Sequence, residues 1–525
     1  MDVNKKLDKI FSFLFVTYIL LIFRVCYIAN NETFDYKAKR QQNFKLDIIN
    51  RRANIYDTNL NRITNTEKIL KALIIPNGEP TKELDSLDVK IEKEKMQKYI
   101  KSKQPFVTEI YKKIENTNQI KIFEDFKRYP SNESYPVHII GYNNVDGEGM
   151  SGLEYYLNEY FNDSRYKLTA YIPLNAKQKP LIYENIELQS TGHPYDGVIL
   201  TIDNKIQYLL DRFCSNFIKR GAATIINAKT GEIVAISSFP KYNPYNVKDY
   251  LYSPEKPLIN RALINFSVGS IFKIVTAAAA LNSNIDKNKI YNCIGYYKLK
   301  DTKYNCHDHK GHGNINMATA LERSCNPYFI DIGQQLGSGK LFNMADNMGF
   351  NRNLILCDGF LCPKANMPNI NMTIGELANF SFGQGKLKAS ILHIAQMLSC
   401  VCNSGKGVVP QLIKGVKENN NVKITFKPIY FDAIKEDIAS SLKNMLKINK
   451  SEELIFSPIK TIGGKSSTAQ TGEYKANKEE MLNTWFCSFS PWEDPKYITV
   501  LLKEDGRWGS KDLGPLTKIL NNYLS

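Results

Sequence analysis

The sequence predicts an α+β protein: an antiparallel five-stranded sheet covered by helices, preceded by an N-terminal transmembrane helix and an extended intermediate domain. Three observations predict it. An apolar run of membrane-spanning length lies near the start. Two β-rich runs precede a long helical stretch, and three more β-rich runs close the chain ahead of a last helix. Strands grouped apart from helices read as α+β rather than as alternating βα units. At 525 residues, two or three domains are expected. A composition of 43% hydrophobic and 23% charged residues suits globular cores.

The first element is "KKLDKIFSFLFVTYILLIFRVCYIAN", whose run from Ile10 to Ala29 contains Arg24 as its one charge. That length suits a single membrane-spanning helix. Lys5, Lys6 and Lys9 precede it, so the N-terminus is expected in the cytoplasm and the remainder outside. Tyr27-Ile28-Ala29 is not a small-x-small cleavage site, so the segment reads as an anchor rather than a removed signal. Arg24 and Val25 ahead of Cys26 argue against a lipid-modified cysteine. The expected organisation is a cytoplasmic tail over 1–9, an anchor over 10–30, a polar, extended or loosely packed domain over 31–195, and an α+β domain over 196–525.

The character changes at Gly197. "GVILTID" reads as a strand and turn, and "NKIQYLLDRFCSNFIKR" carries the 3.6-residue apolar period of a helix. "GAATIINAKTGEIVAISSFP" reads as a β-hairpin. A largely helical stretch follows, from 268 to about 450. "KSSTAQTG", "NTWFCSFSP" and "KYITVLLKED" supply three strands, and "GPLTKILNNYL" the final helix.

The formal charge of +16 permits a nucleic-acid or an anionic-surface partner. No Arg-rich arm with interleaved aromatics occurs, so the lysines read as solvated surface and no nucleic-acid partner is expected. The ten cysteines follow no framework spacing, and a chain of this size does not need disulfides.

The chemistry is carried by three short motifs in order. S-x-x-K occurs six times, from Ser164, Ser238, Ser253, Ser270, Ser440 and Ser457. Three of these contain proline and cannot be smooth helix interior. Ser270 alone opens an apolar helix, in "NFSVGSIFKIVTAAAALNSN". Positions i and i+3 share a helix face, so Lys273 can reach Ser270. An amine in apolar surroundings has a lowered pKa and can take a hydroxyl proton. Taken by itself, the pair reads rather as an N-capping serine with a snorkelling lysine. "ALERSCNPYF" then supplies Ser324-x-Asn326, and "GGKSSTAQTGEY" supplies Lys465-Ser466-Ser467 at the start of a strand.

S-x-x-K, S-x-N and K-[ST]-x together form the motif set of penicillin-binding proteins and serine β-lactamases. The chain resembles the class B penicillin-binding proteins, monofunctional peptidoglycan D,D-transpeptidases, over nearly its whole length. "NRALINFSVGSIFKI" is similar to the stretch around that family's nucleophile, and "SFGQGKLKASILHIAQMLSCVCNSGKGVVP" to its Gly-Gln-Gly segment. "RRANIYDTNLNRI" resembles the start of its pedestal, and "GEGMSGLEYYLNEYF" its junction element. The resemblance implies that Ser270 is the nucleophile and Lys273 its base, with Ser324 relaying protons and Asn326 binding the substrate amide. It also implies that Lys465 and Ser466 hold the substrate carboxylate, and that the backbone N–H groups of Ser270 and Thr468 form the oxyanion hole. The implied substrates are peptidoglycan stem peptides, the implied inhibitors β-lactams, and the implied partner a glycan polymerase of the shape, elongation, division and sporulation (SEDS) family. No cofactor is implied for the chemistry.

Two departures stand out. Val268 replaces a usual proline, and Ser467 stands where the family has the glycine of K-T-G. A side chain there is expected to crowd the substrate backbone. That substitution supports an alternative, a catalytically weak scaffold or β-lactam sensor acting on a membrane polymerase. A hydrolytic β-lactamase is a further rival, though it needs neither an anchor nor a pedestal.

One cluster lies outside these motifs. "YNCIGYYKLKDTKYNCHDHKGHGNI" holds three of the six histidines in the spacing C-x12-C-x2-H-x2-H. Thiolate with imidazole favours tetrahedral zinc. Cys306, His309 and His312 are the expected ligands of a structural zinc, with Cys293 or an aspartate completing the shell. A Cys293–Cys306 disulfide, a structural His312 in the Gly-His-Gly turn and chance clustering compete with it.

Overall fold

The computed structural model describes residues 3–30, 43–78, 87–131, 135–175, 177–181, 185–448, 461–475 and 477–524. Ser457, which opens one of the six S-x-x-K matches, lies outside them. The chain divides into two compact units.

The first unit takes the chain through Arg52 together with Glu67–Arg128 and Arg165–Pro194. Its N-terminal helix, Val3–Ala29, includes a largely apolar 25-residue stretch, Lys5–Ala29. That stretch is long and apolar enough to cross a membrane, and Phe11, Phe15 and Phe23 on it are exposed. Beyond the helix stand two three-stranded antiparallel sheets. In one, Glu67–Ile74 lies between Phe106–Ile110 and Ile120–Lys127. In the other, Tyr166–Pro173 lies between Asn43–Arg51 and Glu187–Thr191. Ile48, Leu73, Ile75, Ala170 and Ile172 are fully buried together. The polar composition of this stretch thus coexists with a buried apolar cluster. Strands with one apolar face bury it even when their overall composition is polar.

The second unit comprises Ala53–Thr66, Tyr129–Ser164 and Tyr195–Ser525. Its long last segment begins at Tyr195, and two earlier segments join it. Asn54–Tyr56 pairs in parallel with Gly197–Leu200, and Tyr129, Val137, Ile139, Leu153 and Phe161 join the main core. Both contributions come from chain distant in sequence, which local composition cannot register.

The central sheet has five antiparallel strands: β1 (Gly221–Asn227), β2 (Ile233–Phe239), β3 (Gly463–Tyr474), β4 (Glu480–Ser490) and β5 (Tyr497–Lys503), in the order β2-β1-β5-β4-β3. Helices cover both faces, which is why β5 reads as continuous apolar sequence rather than alternation. Leu501 and Phe486 pack with Leu210 of α1 (Asn204–Phe217) and with Leu513 and Leu516 near the C-terminus. Val500, Leu502, Trp485 and Cys487 face the larger core, with α2 (Lys273–Asn282), α3 (Asn326–Asn347) and α4 (Ile391–Cys402). Every residue of α4 is buried. The last helix, α5 (Gly509–Leu524), closes the chain against β4.

Candidate active site

Ser270 sits on a single 3-10 turn, Gly269–Phe272, that runs into α2. Gly269 has φ +64°, and a Cβ there would lie 2.5 Å from Ser467 Oγ, so the turn requires glycine. Three donors hold the turn against its surroundings. Gly269 N–H donates to the Gly383 carbonyl, Ser467 Oγ to the Val268 carbonyl and Trp485 Nε1 to the Ser267 carbonyl, each at 2.8 Å. Gly383, of the Gly-Gln-Gly segment, has φ +84° and lies so close that a Cβ on it would come 1.9 Å from the Gly269 carbonyl.

Lys273 is fully buried, and its Nζ meets four oxygens: Ser270 Oγ at 3.0 Å, Ser324 O at 2.6 Å, Ser324 Oγ at 3.2 Å and Asn326 Oδ1 at 2.7 Å. Burial holds its pKa well below the ordinary lysine value, and the charge of Lys465 pushes it down further. Two of the four oxygens, Ser324 O and Asn326 Oδ1, can only accept. They occupy both hydrogens of a neutral amine and leave its lone pair for a hydroxyl. Ser270 is thus placed to lose its proton to Lys273. A protonated Lys273 finds its third acceptor in a serine oxygen at the same site.

Ser324 has φ +54°, a sparsely populated conformation for a residue with a side chain. Cys325 follows as the N-cap of α3, with Pro327 in the helix's first turn. This abrupt helix start lets the Ser324 carbonyl and hydroxyl and the Asn326 amide converge on one amine. Asn326 Nδ2 donates to the Asn305 carbonyl at 3.3 Å, which orients the amide oxygen toward Lys273.

β3 is the terminal strand of the sheet. Strand alternation places Lys465, Ser467 and Ala469 on the buried side, while Ser466 and Thr468 are half-buried. Lys465 Nζ donates to the Ser466 carbonyl at 3.2 Å. Thr468 Oγ1 accepts from Gly509 N–H at 3.2 Å.

The sequence of residues 221–524 matches the penicillin binding protein transpeptidase domain. The chain belongs to the penicillin-binding protein transpeptidases. Among curated proteins it is 25% identical to stage V sporulation protein D of Bacillus subtilis, over 94% of this chain and 81% of that protein. It is 27% identical to peptidoglycan D,D-transpeptidase FtsI of Buchnera aphidicola, over 77% of this chain and 74% of that one. Among solved structures it is similar to penicillin-binding protein PBP2 of Helicobacter pylori, with a TM-score of 0.67 and 20% identity over 92% of this chain and 99% of that one. It is likewise similar to penicillin-binding protein 2X of Streptococcus thermophilus, with a TM-score of 0.70 and 18% identity over 92% and 80%. The resemblance drawn from the motifs is borne out at the level of family and fold.

In this penicillin-binding transpeptidase the structure brings Ser270, Ser324 and Asn326 each into contact with Lys273; the spacing implied the Ser270–Lys273 pair, and the resemblance implied the other two. Two findings depart from the sequence reading. Ser467, expected to crowd the substrate, is buried and bonded to the Val268 carbonyl on the turn that carries Ser270, so its hydroxyl is committed inward. In the cysteine cluster, Cys293, Cys306 and His312 come together, but His309 is exposed and outside the group, and Cys325 completes it. Sequence reasoning missed Cys325 because it is the middle residue of S-x-N. It also missed Trp485 and Gly383, whose roles depend on contacts across the fold.

Proposed function

We propose that the chain is a serine-type peptidoglycan D,D-transpeptidase that cross-links stem peptides through an acyl-enzyme on Ser270 and is acylated there by β-lactams. The observation that carries this reading is the four-oxygen shell of Lys273, which leaves a neutral amine's lone pair for a serine proton. Ser270 Oγ attacks the donor peptide's carbonyl while its proton passes to Lys273 Nζ. The backbone N–H groups of Ser270 and Thr468 receive the oxyanion. The proton returns through Ser324 to the leaving amine as the scissile C–N bond breaks, and Ser270 is left as an ester. The amine of a second stem peptide attacks that ester, forms the cross-link and restores the serine. With a β-lactam the leaving amine stays tethered, so the ester persists. Asn326 binds the substrate amide, and Lys465 with Ser466 holds the carboxylate. Terminal strand β3 offers the extended peptide an edge on which to lie. Nucleophile, base and donors are all groups of this chain, so the chemistry calls for no cofactor.

The apolar N-terminal helix supports a single-pass membrane protein with its catalytic unit outside, oriented by Lys5, Lys6 and Lys9. A SEDS-family polymerase in the same membrane would supply the glycan strands. The scaffold alternative rested on Ser467, whose inward hydrogen bond weakens it.

Fluorescent penicillin labelling of the intact protein tests the reading. One opened β-lactam should add to the chain and map to Ser270, and Ser270→Ala and Lys273→Ala should each abolish labelling. Labelling that survives Ser270→Ala sinks the assignment.

A further inference from the structure

Cys293, Cys306, His312 and Cys325 hold their donor atoms within 4.8 Å of one another. The three thiols are buried and His312 is half-buried. The backbone arranges them. Cys293 pairs with Gly313 in a short antiparallel ladder, which sets His312 beside it. The hairpin formed by Tyr296–Leu299 and Thr302–Asn305 returns the chain to Cys306, whose N–H donates to the Gly295 carbonyl at 2.9 Å. Gly295 and Gly311 both have positive φ. A Cβ on Gly295 would come within 2.3 Å of the His309 carbonyl, and one on Gly311 within 2.2 Å of the Cys293 carbonyl. Side chains at either position would push the ligand-bearing segments apart. Cys325 arrives from a separate element, the N-cap of α3.

We propose that these four residues form a Cys3His zinc site that fixes the S-x-N motif. Tetrahedral zinc, with Zn–S of about 2.3 Å and Zn–N of about 2.0 Å, sets its donors roughly 3.5–3.8 Å apart. Cys306 Sγ and His312 Nδ1 already stand 3.5 Å apart, so the remaining donors need only a small contraction. Three thiolates and an imidazole suit zinc better than hard cations, and four protein ligands leave no open position, as in structural sites. His307 Nδ1, 3.9 Å from Cys306 Sγ, stands just outside the shell on an exposed side chain.

The consequence lies in where Cys325 sits. Its neighbours Ser324 and Asn326 supply three of the four oxygens around Lys273. Ser324 occupies a left-handed backbone conformation that its surroundings must hold in place. A bond from Cys325 Sγ to a metal shared with the Cys293–His312 loop pins the backbone at that point. Metal occupancy thereby becomes a condition for presenting those oxygens to Lys273, and is linked to folding of the loop.

The test uses the full chain in detergent, expressed without a histidine tag. Elemental analysis should find close to one zinc per chain. Cobalt-substituted protein should show thiolate-to-cobalt charge transfer and the visible bands of a tetrahedral site. Cys293→Ser and His312→Gln should each lose most of the zinc and slow penicillin acylation tenfold or more, whereas His309→Gln should keep both. If those variants fail to fold, chelation of the wild-type protein gives the same reading: three thiols should become titratable as one zinc leaves, and re-addition of zinc should restore acylation. A metal-free protein that acylates at full rate overturns the proposal, as does a Cys293–Cys306 disulfide in the purified chain or zinc retained by both variants. Metal content and the cobalt spectrum are read without substrate, so their failure leaves the transpeptidase reading intact, and a failed transpeptidase assay leaves the metal result intact.

Discussion

Ser467 and Trp485 face each other across the β3–β4 ladder and donate to consecutive carbonyls just ahead of Ser270, those of Val268 and Ser267, both at 2.8 Å. Opposed residues of an antiparallel pair point to the same side, so the two strands grip the turn together. A glycine at position 467 supplies no such donor. The serine that replaces the family's glycine therefore belongs to the support of Ser270.

This relationship bears on the expectation that a side chain at 467 crowds the substrate backbone, since the hydroxyl is bonded to the Val268 carbonyl. Ser467→Gly and Ser467→Ala should each slow acylation by a fluorescent penicillin severalfold. Each should also lower stability by about 1 kcal/mol, the worth of an ordinary buried hydrogen bond. Stopped-flow acylation and thermal melts measure both. Faster acylation by Ser467→Gly would show that the hydroxyl obstructs substrate after all.

Lys273 should impose an acid limb on acylation. Its lowered pKa keeps the amine neutral over a range where an ordinary lysine is charged, and acidification below that pKa removes the base. The same shift affects stability. Between the ordinary value of 10.5 and the lowered one, the unfolded chain binds a proton that the folded chain refuses, so stability falls as pH drops through that window. Lys273→Arg keeps a cation but offers no base, and should cut acylation by about 10²-fold or more. A flat pH profile in the wild type would remove Lys273 from the role of base.

Two buried histidines should make the protein acid-labile independently of the active site. Burial pushes His138 and His393 down to about 4 from the ordinary 6.5. His138 Nε2 donates to the Pro257 carbonyl, and His393 Nε2 to the Arg352 carbonyl, while His393 Nδ1 accepts from Ser390 Oγ. From pH 6.5 down to about 4 the unfolded chain takes up protons that the folded chain does not, so stability falls with pH across that window. The loss is at most about 3 kcal/mol for each residue. Denaturant titrations at several pH values should find it, and His393→Gln should flatten part of the slope. An unchanged slope would mean that His393 is already charged in the folded state.

Gly383→Ala should damage the site from a distance. Its Cβ would drive into the Gly269 carbonyl at 1.9 Å, at a backbone angle that side chains rarely adopt. A stability loss on the order of 2–4 kcal/mol is expected, with acylation slowed because the turn before Ser270 must move. Gly337→Ala is a control for the backbone term alone, since Gly337 also has positive φ but a Cβ there meets nothing within 4 Å. Equal losses from the two variants would show that the contact with Gly269 is unimportant.

Local chemistry alone determined much of this protein. An apolar run broken by one charge, Arg24, marked the N-terminal helix, because the length and apolarity of such a segment are written in consecutive residues. The five sheet strands and the last helix were legible from β-rich runs, turns and helical period. The Ser270–Lys273 contact followed from i, i+3 geometry, and the order of three motifs supplied its partners. Tertiary structure decided the rest, because each remaining feature depends on which distant segments meet. Asn54–Tyr56 joined the catalytic unit by pairing with Gly197–Leu200, a ladder that no window of neighbouring residues contains. Ser467 turned inward because Val268 offered a carbonyl across the fold, and spacing cannot say which face a strand residue will find occupied. Cys325 replaced His309 in the cysteine cluster because the start of α3 returns to the Cys293–His312 loop. Ligands gathered from separate elements are a property of packing, whereas His309 was merely near in sequence.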